Sequence, residues 1–217
     1  LRSPSDPAPD RAGGAPSILA DPIASQEILR RFPALARLPA SEREASAALW
    51  QWDGARVLRG GDARKSAVLE AWRDAPGIYV VAPLVRAPDL PFSPFVPLAG
   101  DSSMAGPRDD CLEIADVRAL DLSGCELAVI STCSSGAPYA GSRRMGPSFG
   151  DGFVDAGAGC VVQAAWEVDD ARAARLMERF LAEWRSGARD PVGALAAARP
   201  AAIRGGLGPG PPRDCRA

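Results

Sequence analysis

The sequence predicts an α/β fold, with a parallel or mixed sheet held between helices on both faces. Three observations carry that expectation. IYVVA at residues 78–82 and ELAVIST at 126–132 are almost continuous apolar runs, the pattern of strands covered on two sides. Helical segments with one apolar face lie between and after them. Strand and helix patterns also alternate along the chain, as crossover connections require. The 217 residues suffice for one full core and favour one domain over two.

Taken in order, residues 1–16 are rich in Pro, Gly, Ser and Ala and read as an arm or linker, with the folded domain over 17–203. SILADPI, from Ser17, is a first strand. The stretch FPALARLPASEREASAALW is loosely helical or irregular, and ARVLRG at 55–60 is a short strand. DARKSAVLEAW reads as a helix with Asp62 as its N-cap and Val68, Leu69 and Trp72 facing inward. Residues 83–110 hold many prolines and predict a long excursion with one short strand near FVPLAG. IADVRAL is a brief helix before the strong strand at 126–132. Pro147, Phe149, Phe153 and Val154 mark the next helix, with Gly157 and Gly159 near its end. CVVQAAW at 160–166 is a further buried strand. Asp169 or Asp170 then caps a long helix whose apolar face carries Leu176, Met177, Phe180, Leu181 and Trp184. Asp190 and Pro191 open a last helix that Pro200 closes, and 204–217 form a tail.

Composition narrows the function. No stretch of 18 uncharged residues exists, which argues against a membrane crossing, and LRSPSDPAPDRAGG lacks the basic-then-apolar order of a signal peptide. Whether further domains precede Leu1 stays open. A net charge of −2 offers no broad attraction for nucleic acid or anionic lipid. The five cysteines, Cys111, Cys125, Cys133, Cys160 and Cys215, form no CxxC pair, and the chain has no histidine. A conventional zinc cluster or a disulfide framework is therefore not expected, and neither is a cofactor. Reduced thiols in the cytoplasm, with Cys111, Cys125 and Cys160 in or near the core, fit better.

Several phosphate- and nucleotide-binding patterns fail. GGDARKS ends in the Lys-Ser of a phosphate-binding loop, but Arg64 stands where the loop needs glycine. DAGAG precedes a strand, whereas a dinucleotide loop follows one. No GxSxG elbow exists, so Ser131, Ser134 and Ser135 are read as hydrogen-bonding the turn around them. Cys133 survives this sifting: it follows the strongest strand, at the carboxyl end where α/β sheets meet their ligands.

The segments IYVVAPLV, LDLSGCELAVISTCSSG and GFVDAGAGCVVQAAWEVDD, with the helix after them, together resemble a CHAT domain. That family belongs to the caspase-like, separase-related clan CD cysteine peptidases. The resemblance spans about residues 15–203 and is strongest from Leu120 to Phe180. It implies a caspase-like three-layer sandwich with a mostly parallel central sheet and helices on both faces. It also implies a Cys–His dyad, whose cysteine matches Cys133. The family's Ala-Thr-His-Gly-like segment matches Ala82, Pro83, Leu84 and Val85, so Leu84 sits near the expected histidine and Val85 replaces a glycine whose N–H helps form the oxyanion site. Asp170, or Asp169 beside it, resembles the acid that lines the basic P1 pocket of separase-like relatives; a helix N-cap is the plainer role for either.

The missing histidine has a direct chemical consequence. A cysteine of ordinary pKa, about 8.5, is only a few per cent thiolate at neutral pH. Peptide hydrolysis further needs a proton for the leaving amine, and a positioned acid/base contributes about 10²–10⁴ in rate. Leucine supplies neither. The leading expectation is therefore a degenerate caspase-like domain that binds, scaffolds or regulates a protein or peptide partner, such as an active peptidase or an upstream module of the same chain. One alternative is a cysteine endopeptidase in which Cys133 works with a non-standard or partner-supplied base and prefers Arg or Lys at P1. A second is a thiol redox sensor.

Overall fold

The computed structural model describes residues 14–35, 37–38, 40–85, 94–100, 108–132, 148–165, 168–187 and 190–204; side chains are described there except at 170 and 201–204. Five strands form one wholly parallel sheet: β1 (Ser17–Pro22), β2 (Arg56–Gly60), β3 (Gly77–Val81), β6 (Leu127–Ser131) and β7 (Val161–Gln163), in the order β2-β1-β3-β6-β7. β3 and β6 pair over their full length, from Gly77 opposite Leu127 to Val81 opposite Ser131. A separate antiparallel pair, β4 (Phe95–Pro97) and β5 (Cys111–Glu113), lies within the long excursion after β3.

The period-2 alternation of each central strand divides the core into two layers. Leu19, Ile78, Val80, Ala128 and Ile130 face α3 (Lys65–Trp72), α4 (Ile114–Arg118) and α5 (Asp151–Asp155), where Trp72 packs on Phe153. Ile18, Tyr79, Val81, Leu127 and Val129 face α2 (Ser41–Gln51), α6 (Asp170–Ser186) and α7 (Pro191–Arg204). Fully burying one such aliphatic or aromatic side chain is worth about 1.5–3 kcal/mol, so β3, with all five residues buried, anchors both layers. At its start Gly77 is fixed by sterics. A Cβ there would lie 3.1 Å from the Trp52 ring, which packs edge-on to both Tyr79 and Trp184. This is the mixed α/β, caspase-like sandwich with a mostly parallel sheet that the sequence implies.

Several local expectations need correction. Asp62 does not cap α3: the helix starts at Lys65 behind Arg64, and no side chain caps it. Lys65 instead turns inward and pairs with Asp116 of α4 at 2.8 Å, tying α3 to α4. β7 is half-buried along its length, because it closes the sheet with β6 on one side only. Val154 points to solvent on α5. Pro200 does not end α7, which runs on to Arg204 with the proline inside it. The proline has no N–H to give the preceding turn, so the helix there is held by one bond fewer. The short α1 (Gln26–Arg31), N-capped by Ser25 through the Ile28 N–H, opens the loosely helical stretch that follows β1. At the other edge of the sheet, Arg59 and Arg56 of β2 pair with Glu42 and Glu70 at 3.5 and 3.8 Å.

Candidate functional site

The carboxyl ends of β3, β6 and β7 lie side by side, and the residues singled out by the sequence follow them. After β3, the Leu84 side chain is half-buried and packs on the core layer that contains Trp72 and Phe153. Val85 is buried and forms an antiparallel bridge with Phe95. Its N–H donates to the Phe95 carbonyl at 2.9 Å, and the Phe95 N–H returns a bond to the Val85 carbonyl at 3.0 Å. The N–H at the position that matches an oxyanion donor is thus committed to a backbone partner. The end of β3 is closed by apolar packing and a two-bond clip.

β6 delivers Ser131 and Thr132 to the same end of the sheet; Cys133, Ser134 and Ser135 lie outside the described residues. Thr132 is 2% exposed, and its Oγ1 has no hydrogen-bond partner among the described residues. The Ser131 side chain bonds the Tyr79 hydroxyl of the neighbouring strand, and the turn that Ser131 was expected to brace lies outside the described residues. Tyr79 in turn donates to Glu44 Oε2 of α2 at 2.7 Å, and Glu44 is only 1% exposed. Burial first, then the charge of Glu44 and the bond to it, pushes the Tyr79 pKa well above its ordinary value, so the phenol keeps its proton.

Asp169 is the N-cap of α6: its carboxylate accepts the Arg172 N–H at 3.2 Å and its side chain is solvent-exposed. Asp170 is the first residue of that helix, and its side chain lies outside the description. Of the two acids proposed for capping, Asp169 does it.

Between the carboxyl ends of β6 and β7 and the helices α2, α6 and α7 lies a cavity of about 260 Å³. Val129, Val162, Val168, Leu176, Met177 and Leu195 supply apolar wall, while Glu44 and Arg199 supply charge. Asp169 does not line it. Arg199 makes no ion pair with any described carboxylate. Sequence reading passed over Glu44, yet a signal was present. Ser41, Glu44, Ala45 and Ala48 recur at the spacing of one helix face, and all four are buried. A carboxylate among the small residues of an inward face is the uncommon case that marks a site.

The described thiols are chemically quiet. Burial, then Asp110, pushes Cys111 up to about 12, and burial does the same for Cys125. Cys160 is raised as well, again chiefly by burial. None of the three is a thiolate near neutral pH. Among the described residues no group of three or more Cys, Asp or Glu is placed to hold a metal ion, and no helix is long and apolar enough to cross a membrane.

Comparison with known proteins agrees with the geometry. A family model described as "CHAT domain" matches residues 1–208. No curated protein matches the chain. Among solved structures, the complex of Porphyromonas gingivalis RgpB pro- and mature domains superposes with a TM-score of 0.56 at 8% identity, covering 88% of this chain and 43% of that one. The Arg-specific cysteine proteinase gingipain R (RGPB) gives 0.56 at 9% identity, covering 89% and 42%. At such identities the likeness is one of fold, and the chain spans less than half the length of either structure.

Proposed function

The chain belongs to the CHAT domain family, with a clan CD peptidase-like fold, and from that premise we propose that it is a catalytically degenerate member that works by binding a protein partner. The observation that carries the proposal is the complete absence of histidine from the chain, which leaves it without a dyad of its own. Two features support it. Leu84, half-buried, packs against the core at the matching position, and the Val85 N–H is spent on Phe95. The partner is an active peptidase or an upstream module, bound across the carboxyl ends of β3, β6 and β7. We place this work in the cytoplasm, where the free, buried Cys111 and Cys125 stay reduced.

The test is turnover. Purified protein is incubated with peptide and protein libraries bearing Arg or Lys at P1, with Cys133→Ala as control. No cleavage by either protein is the expected result. Cleavage that the cysteine variant abolishes would overturn the reading and favour a peptidase with a non-standard or partner-supplied base.

A further inference from the structure

The cavity beside β6 and β7 has a mostly aliphatic or thioether wall, supplied by Val129, Val162, Val168, Leu176, Met177 and Leu195. Its two charged residues differ in what they leave open. Glu44, 1% exposed, already holds the Tyr79 hydroxyl at 2.7 Å and has a further interaction, so its charge needs nothing from a ligand. Arg199 reaches the wall from α7 as an exposed side chain with no carboxylate partner among the described residues.

Size and charge together restrict what a partner places there. At about 260 Å³ the space falls just below the roughly 300–1,000 Å³ of ordinary small-molecule sites, so it takes one residue and not a run of them. A lysine or arginine side chain would meet the Arg199 charge with no open acid to offset it, and like charges brought together are costly. An apolar side chain suits the wall and leaves Arg199 to take a carboxylate. In an extended segment the next side chain points to the opposite face, which carries an acidic neighbour away from the cavity. The last residue of a chain holds side chain and carboxylate on one carbon.

We propose that this cavity captures the carboxyl-terminal residue of a protein partner, an apolar residue of leucine, methionine or phenylalanine size. Its side chain lies among Val129, Val162, Leu176 and Met177, and its terminal carboxylate takes charge-assisted bonds from Arg199 at the exposed end. This capture presupposes the partner-binding reading and narrows it. The partner is a separate chain that docks by its end, since an upstream module of the same chain has no free carboxyl end to offer. The basic residue implied by the family resemblance gives way to an apolar one.

Calorimetric titration of the full chain with acetylated Gly-Ser-Gly-Leu, Gly-Ser-Gly-Met and Gly-Ser-Gly-Phe, each with a free carboxyl end, tests it. Saturable binding of at least one, with Kd below about 1 mM, is expected. The carboxyl-terminal amide of that peptide should bind at least about tenfold more weakly, and so should acetylated Gly-Ser-Gly-Arg. Arg199→Ala, an exposed change, should weaken the acid about tenfold, to the level of the amide. Ala173→Trp, which fills the cavity from α6, should abolish binding, with circular dichroism confirming the fold; if it does not fold, the Arg199 variant and the amide suffice. No saturable heat with any of the three acids overturns the proposal. So does an amide or an Arg-ended peptide that binds as tightly as the acid, or an Arg199→Ala protein that binds unchanged. Turnover of basic-P1 substrates sinks the degenerate reading alone, whereas absent peptide binding sinks this capture alone.

Discussion

Two neighbouring strand ends have opposite characters. At β3 the chain turns into Leu84 and Val85, both drawn inward, and the Val85–Phe95 clip closes the backbone against any incoming group. At β6 and β7 the chain opens onto a cavity with the buried acid Glu44, the guanidinium of Arg199 and apolar walls. The family resemblance matches Leu84 and Val85, at the first end, to the base and an oxyanion donor of a Cys–His peptidase. The difference teaches that the two halves of such a site are separable. Chemistry requires both, whereas binding requires only the open one.

The closed end breaks most readily at Phe95. Its ring is buried against Phe32 and Arg108, and its backbone holds both bonds of the clip. Phe95→Ala should lower stability by about 3–5 kcal/mol, read by urea denaturation; a loss under 1 kcal/mol would mean the clip is peripheral.

A smaller effect belongs to the open end. The raised Tyr79 pKa means that, above about pH 10, the unfolded chain gives up a proton that the folded chain keeps. Stability from Tyr79 is complete below the unfolded pKa and falls as pH rises beyond it, with a slope of up to roughly 1.4 kcal/mol per pH unit. Cys111 and Cys125 add slopes of the same sign between their ordinary 9.0 and about 12. Comparing unfolding free energies of the wild type and Tyr79→Phe from pH 8 to 11 isolates the phenol, since the thiols contribute equally to both. Identical slopes would place Tyr79 outside the buried acid's influence.

The third comparison predicts no effect at all. Leu84→His restores an imidazole to the closed end, yet the Val85 N–H remains bonded to Phe95. No turnover of basic-P1 substrates should appear. Cysteine-dependent turnover in that variant would show that only the histidine separated this chain from catalysis.

The layered fold was legible because long apolar runs and a long amphipathic helix carry their own period. β3, β6 and α6 fall where residues 78–82, 126–132 and the face from Leu176 to Trp184 place them. What escaped was short or set by distant partners. β4 lies where FVPLAG places a short strand, but its three-residue partner β5 has no local signal, and their pairing is decided by tertiary contact. The Asp62 cap failed because Asp62 lies in a turn and Arg64, extended and bridged to Ala99, takes the position before the helix. At the site, strand ends were readable and cross-element meetings were not. Nothing local to Glu44, Ser131 or Arg199 reveals that one cavity gathers them from α2, β6 and α7, or that Tyr79 of β3 bonds Glu44.

The two arginines on β2 bear on how this protein survives its own assembly. Every strand of the sheet is parallel, so each pairing waits on a crossover, and sheets built from such distant contacts form slowly. During that wait an unpaired strand edge is a template for another chain. Arg56 and Arg59, held beside β2 by Glu70 and Glu42, set fixed charge along that border. Another molecule that tried to extend the sheet there would have to strip water from both guanidinium groups. The ion pairs add little to equilibrium stability, but their position makes β2 a poor seed for aggregation.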